Sequence, residues 1–283
     1  MNISKKIFRK VLLASIAAMA ANAPAHAQLD LNLDTLECHI VGFNIGTKIA
    51  SNTFSFGQAP DGSTSKSATM AGLYRNPYMD YGLNAIYKYK SNWLVTLEGD
   101  LWFGNNNLLY RKERMGSVYT HDSTVIGMSG TDASVTAYNR GFSIQGGFGK
   151  IFPLNAEKNP NSGIMARLSG GYFLQQTIFM AYDEKAPQVE DDYGLLYDHQ
   201  RRGAMLTESV GYWFMSNHAN LLNMYVELGV SQMWSWSTRD YVIDNLLGMH
   251  GKDGSRYFDL VYTIKFCWMF PLRGKASHDY YFY

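Results

Sequence analysis

The chain has 283 residues, with 25 Lys and Arg against 24 Asp and Glu, and a mean hydropathy of -0.21. So even a charge balance, with no basic tract, argues against nucleic acid as a partner. No stretch after the N-terminal segment approaches about 18 consecutive apolar residues, which excludes a spanning helix, while 26 Gly and long Asn-rich spacers read as strands and loops.

Lys5, Lys6, Arg9 and Lys10 precede an apolar run from Val11 to Ala21, and Ala25-His26-Ala27 follows. This is the pattern of a secretory signal peptide over residues 1–27, with Gln28 as the new N-terminus. Loss of those four cations takes the formal charge from +1 to about -3. Residues 28–37 read as a periplasmic N-terminal segment.

Eight stretches then alternate apolar and polar side chains, which a strand sends to opposite faces. The first, 38–50, sends Val41, Phe43, Ile45 and Ile49 outward, with Asn44 and Lys48 inward. The second, 79–90, sends Met79, Tyr81, Leu83 and Ala85 outward, with Asp80, Asn84 and Lys88 inward. After a tight Ser91-Asn92 turn, the third (93–104) places Trp93, Val95, Leu97 and Leu101 against Thr96, Glu98 and Asp100. The fourth (140–152) and fifth (163–180) set Phe142, Ile144, Phe148, Ile164 and Leu168 outward and Gln145, Arg167 and Gln175 inward. In the sixth, 203–215, Glu208 shares parity with Leu206 and Val210, and its charge argues for the inner face. The seventh (221–234) directs Glu227 inward. The eighth has seven large apolar groups on one face, Phe258, Leu260, Tyr262, Ile264, Phe266, Trp268 and Phe270, with Asp259, Thr263, Lys265 and Cys267 on the other. Such strands fit a protein with lipid outside and a polar lumen inside.

The spacers at 91–92, 153–162 and 216–220 are short, and those at about 51–78, 105–139, 183–202 and 235–255 are long. Short periplasmic turns and long external loops predict an all-β, eight-stranded antiparallel up-and-down barrel over 38–270, in the outer membrane, with both termini periplasmic. A barrel of eight strands is just wide enough for side chains to fill it. Lys48, Lys88, Arg167 and Lys265 against Glu98, Asp100, Glu208, Glu227 and Asp259 therefore read as a paired, structural lumen network rather than a channel lining, because an unpaired buried ion is costly.

Cys38 and Cys267 are the two cysteines, on strands that become neighbours when the barrel closes. One register brings them within disulfide range; a slip of one pair leaves two free thiols. Of catalytic constellations, His121-Asp122-Ser123 has the residue types of a hydrolytic triad, but consecutive side chains do not easily converge. The acidic loop with Asp183, Glu184, Glu190, Asp191, Asp192 and Asp198 lacks the spacing of a dedicated calcium loop. Arg140, Arg201, Arg202, Arg239 and Arg256 fall near the outer rim, where lipopolysaccharide phosphates lie. No metal or cofactor is implied.

Pro271 is expected to end the eighth strand. The tail 271–283 then reads as a periplasmic contact segment carrying Tyr280, Tyr281, Phe282 and Tyr283. With its signal peptide, Gln28 terminus, Tyr- and Asn-rich strands and aromatic C-terminus, the chain resembles a small outer-membrane β-barrel of the Bacteroidota type. That resemblance implies a non-enzymatic accessory subunit of a barrel-assembly or protein-secretion complex, with outer-membrane lipid and other envelope proteins as partners. The second reading is a lipid A-modifying enzyme or ligand-binding barrel using His121, Asp122 and Ser123.

Overall fold

The computed structural model describes residues 35–51, 53–58, 64–65, 77–105, 118, 120–121, 124–190, 199–216, 223–238, 242–244, 248–250 and 255–272. Eight long strands form an antiparallel meander: β1 (Cys38–Ala50), β2 (Tyr78–Lys88), β3 (Trp93–Asn105), β4 (Val135–Pro153), β5 (Gly163–Ala181), β6 (His199–Met215), β7 (Asn223–Ser237) and β8 (Arg256–Leu272). Each pairs with its neighbours in sequence, and β1 pairs with β8, so the sheet closes without a free edge. The fold is an eight-stranded β-barrel.

The register fixes how the strands tilt. Following paired residues round the ring from Trp93 leads through Lys150, Ala166, Val210, Leu228, Ile264, Thr47 and Met79 to Phe103. One circuit has climbed ten residues along β3, so the barrel has a shear of ten and strongly tilted strands.

The strand ends joined through 89–92, 154–162 and 216–222 lie at one end of the barrel, called here the turn end; the opposite strand ends, between which the longer spacers run, form the loop end. In the first turn Asn92 sits at φ 60°, a left-handed conformation that Asn tolerates. The second turn spans the mouth of the barrel. Asn161 accepts bonds from Leu36 N (2.8 Å) and Lys88 Nζ (3.0 Å), while Asn159 donates to the Met215 carbonyl. At the loop end β4 and β5 run well past their neighbours. A small hairpin (Val125–Ile126 with Asp132–Ala133) and the 182–190 segment pack on this extension through Val125, Ala133, Val135, Phe179, Ala186 and Val189.

Strand lengths differ from the sequence reading mainly at the loop end, where β4, β6 and β7 gain residues. Pro271 does not stop β8. It pairs with Ile40, and the strand continues to Leu272 opposite His39. A proline is tolerated there because its lost donor falls at the last pairs of the ladder.

Candidate functional site: a sealed lumen under a loop-end lobe

The two faces of the strands are sharply different. Outward side chains are apolar and bare, among them Phe43, Leu83, Leu97, Phe148, Leu228 and Trp268. Inward ones are buried, and in the middle of the barrel they are ionic. Lys48 Nζ lies 2.8 Å from Asp80 and 3.4 Å from Asp100. Lys265 reaches Glu98, Asp100 (3.2 Å) and Asp80 (3.6 Å). Arg167 joins Glu98 (2.6 Å) to Glu227 (2.5 Å), and Ser209 donates to the far oxygen of Glu227. Three cations face four carboxylates, and every one of the seven residues is at most 4% exposed. Charges so desolvated persist only when mutually paired and hydrogen-bonded.

This layer is sealed above and below. Towards the loop end lie Tyr78, Trp102, Phe173, Met205, Met233 and Val261, with Trp102 stacked on Phe173 and Lys48 held 4.3 Å from the Trp102 ring. Towards the turn end lie Ile40, Ile86, Leu94, Ile151, Met165, Trp213, Met215 and Met269, with Trp213 stacked on Tyr225 at 5.6 Å. The lumen is thus not polar throughout, as expected, but a charged disc between two apolar plugs. The plugs were readable only in part. Parity turns Trp102 inward between the outward Leu101 and Phe103, but it does not show which inward apolar groups of different strands share a level.

Of the expected network, Lys48, Glu98, Asp100, Arg167, Glu227 and Lys265 come together, and Asp80 joins them. Lys88 stands apart at the turn end, on the Leu36 carbonyl and Asn161. Asp259 stands apart at the loop end, 3.5 Å from Arg201, which turns inward over Tyr257 rather than lying on the rim. Its parity with the inward Gly203 and Met205 carried that signal once β6 is extended to His199. Glu208 is a correction. Thr207 and Ser209 are the lumen residues, bonded to Gln145 and Glu227, so Glu208 lies on the outer face between Leu168 and Val230.

The cysteine bridge is also corrected. Neither cysteine forms a disulfide, and both are buried. Cys267 pairs with Asn44, six residues up β1 from Cys38, about 20 Å of strand. Its sulfur instead accepts a bond from Asn84 Nδ2 at 3.3 Å.

In the loops, His121 is exposed in a turn, whereas Asp122 and Ser123 lie outside the described residues, as do Asp191, Asp192, Asp198, Arg239 and Tyr280–Tyr283. Glu184 of the acidic loop meets the small hairpin. Its carboxylate accepts from Ser129 N (2.5 Å), Ser129 Oγ and Thr131 Oγ1, which clips the 182–190 segment to the small hairpin. Those donors hold its pKa below the ordinary carboxylate value.

No family model and no curated protein matches the chain. Among solved structures it is similar to Ail, the attachment invasion locus protein of Yersinia pestis, at TM-score 0.38 and 9% identity over 82% of this chain and 99% of that one. It is similar to the Neisserial surface protein A at 0.31 and 9%, over 80% and 95%, and to OprG of Pseudomonas aeruginosa at 0.32 and 13%, over 84% and 97%. Likeness at this level says nothing of function.

Proposed function

We propose that the protein is an outer-membrane barrel acting as a non-enzymatic structural or accessory subunit of an envelope complex, of the barrel-assembly or protein-secretion kind. One observation carries this reading: among the described residues an apolar plug covers each side of an ion-paired layer that fills the middle of the lumen. Activity then resides on its surfaces. The bare apolar outer face supports the membrane setting, and the three turns against four loops support periplasmic termini. Arg140, Arg202 and Arg256 face outward at the loop end, where they suit lipopolysaccharide phosphates. The tail that ends Tyr280 to Tyr283 supplies a second contact, since clustered aromatics are typical interface anchors. Mild detergent extraction and affinity purification of the tagged barrel should recover stoichiometric envelope proteins, with some of them lost on deletion of residues 276–283. Recovery of lipid alone would refute the reading.

A further inference from the structure

The β4–β5 pair rises past both of its neighbours, and the part that rises has two apolar faces. β3 stops at Asn105 opposite Tyr138 and β6 begins at His199 opposite Thr177, whereas β4 and β5 stay paired as far as Val135 and Ala181. The inward face, with Val135, Ala137 and Phe179, is buried under the small hairpin and the 182–190 segment. The outward face carries Tyr138, Ile178, Met180 and Tyr182, of which Met180 and Tyr182 stay 43% and 56% exposed. Tyr182 belongs to this face because its N–H donates to the Ser134 carbonyl and its ring meets that of Tyr138 at 5.8 Å. A ribbon that stood in water merely to hold the lobe would be polar on this side.

The outward rungs of this ladder change chemistry in one order. Ile144–Tyr172 and Phe142–Leu174 belong to the apolar wall. The next rung is Arg140–Gln176, followed by Tyr138–Ile178, Thr136–Met180 and finally Tyr182. Arg140 is exposed and forms no ion pair among the described residues. Paired rows climb ten residues in a circuit of eight strands, or about 1.25 residues per strand. Corrected for this climb, Arg202 on β6 falls within one residue of the depth of Arg140, two strands or about 10 Å away. Its guanidinium lies 6.0 Å from the Trp236 ring. Strands tilted by about 40° gain roughly 2.5 Å of depth per residue, so the rungs from Tyr138 to Tyr182 stand about 5–18 Å above the two guanidinium groups.

We propose that this strip is the seat of one phosphorylated glycolipid of the outer leaflet. Its acyl chains lie on the rungs of Ile144 and Phe142, a phosphate sits between Arg140 and Arg202, and its saccharide lies against Tyr138, Met180 and Tyr182. Guanidinium groups match phosphate in charge and geometry. A tyrosine ring offers an apolar face to the C–H face of a sugar, while its hydroxyl, with Thr136 and Gln176 beside it, meets the sugar hydroxyls. The order of the rungs selects the occupant. A phosphorylated glycolipid presents chain, anion and sugar along one line, whereas a phospholipid without sugars ends at the phosphate and leaves the upper rungs bare. The strip also continues the lipid-facing wall on the same face of the same two strands, so a headgroup already stands in front of it. The proposal rests on the reading that the loop end faces the cell exterior, and it deepens the lipopolysaccharide contact of that reading into a single site that reads saccharide as well as phosphate.

The test places the full-length barrel in phosphatidylcholine vesicles sparsely doped with one of three probes: lipopolysaccharide bearing core sugars, the same after phosphate removal, or sugar-free lipid A. A photo-crosslinking phenylalanine analogue stands at position 180 or 182, and at Phe56 as a control, exposed at the depth of Tyr138 across the ring. Adducts with core-bearing lipopolysaccharide should form at 180 and 182 about five-fold above those at 56, and lipid A should give no such excess. Arg140→Ala with Arg202→Ala should lower the yield from phosphorylated lipopolysaccharide about ten-fold and leave the weaker yield from the dephosphorylated form unchanged. Tyr138→Ala with Tyr182→Ala, read from position 180, should lower the affinity for core-bearing lipopolysaccharide about five-fold without moving that for lipid A. Unchanged heat-modifiable mobility reports that the variants fold. Equal yields at 56 and 180, yields unmoved by the arginine pair, or adducts with protein alone in native membranes overturn the proposal. Purification from native membranes reads the accessory role separately. If envelope proteins co-purify but position 180 shows no lipopolysaccharide excess, the strip fails and the accessory reading stands; an excess at 180 with no protein recovered gives the reverse.

Discussion

The inner and outer faces of the same eight strands are built for opposite solvents. Inside, polar groups are stitched to one another, and size is regulated to the level of a methyl group, as at Gly42 and Gly82. Outside, apolar groups stand bare, and size is barely regulated, as at Gly146. Along a single strand the rules change at every residue: Glu227 is buried against Arg167, while its neighbour Leu228 is 62% exposed. What this teaches is that the alternation records two environments rather than an inside and an outside. A soluble sandwich would bury only one such apolar face; here the second one requires a lipid solvent.

Four experiments would break or sharpen that contrast. The largest effect is expected in the lumen. Arg167→Met leaves Glu227 buried without a cation and Glu98 with Lys265 alone, and should lower unfolding stability in urea by about 3–5 kcal/mol; a loss near zero would mean that water reaches the layer. Trp213→Ala, which removes the largest side chain of the turn-end plug, should cost about 3–4 kcal/mol in the same assay as a cavity opens beside Tyr225. On the outer face, Leu228→Arg should cost about 2–4 kcal/mol in bilayers, because the residue lies near mid-depth. An indifferent response there would place this face in water.

The smallest effect concerns Glu184 at the loop end. Its folded pKa is depressed, so the clip contributes above the ordinary carboxylate pKa and is lost as pH falls through the lower folded value. Proteolysis of the 127–131 turn should therefore rise as pH drops from about 5 to 3, and Glu184→Gln should raise it already at neutral pH. Equal cleavage across that range would show that the hairpin is held by its apolar contacts alone.

Strand number, order and most of the facing were legible in the sequence, because a period of two and the spacing of turns are local properties. Lys48, Glu98, Arg167, Glu227 and Lys265 were legible as inward for the same reason. Where local signals conflicted, tertiary structure decided. Glu208 reads as inward by charge, but the pleat allows no single residue to change sides while Thr207 and Ser209 face the lumen. Arg201 reads as a rim residue until β6 is known to start at His199. The cysteine bridge depended on register, and a shear of ten sets Cys267 opposite Asn44. The two plugs and the circuit of ions depend on which residues of non-adjacent strands share a depth. Only closure of the barrel at one particular stagger determines that, since no segment of the chain encodes depth by itself.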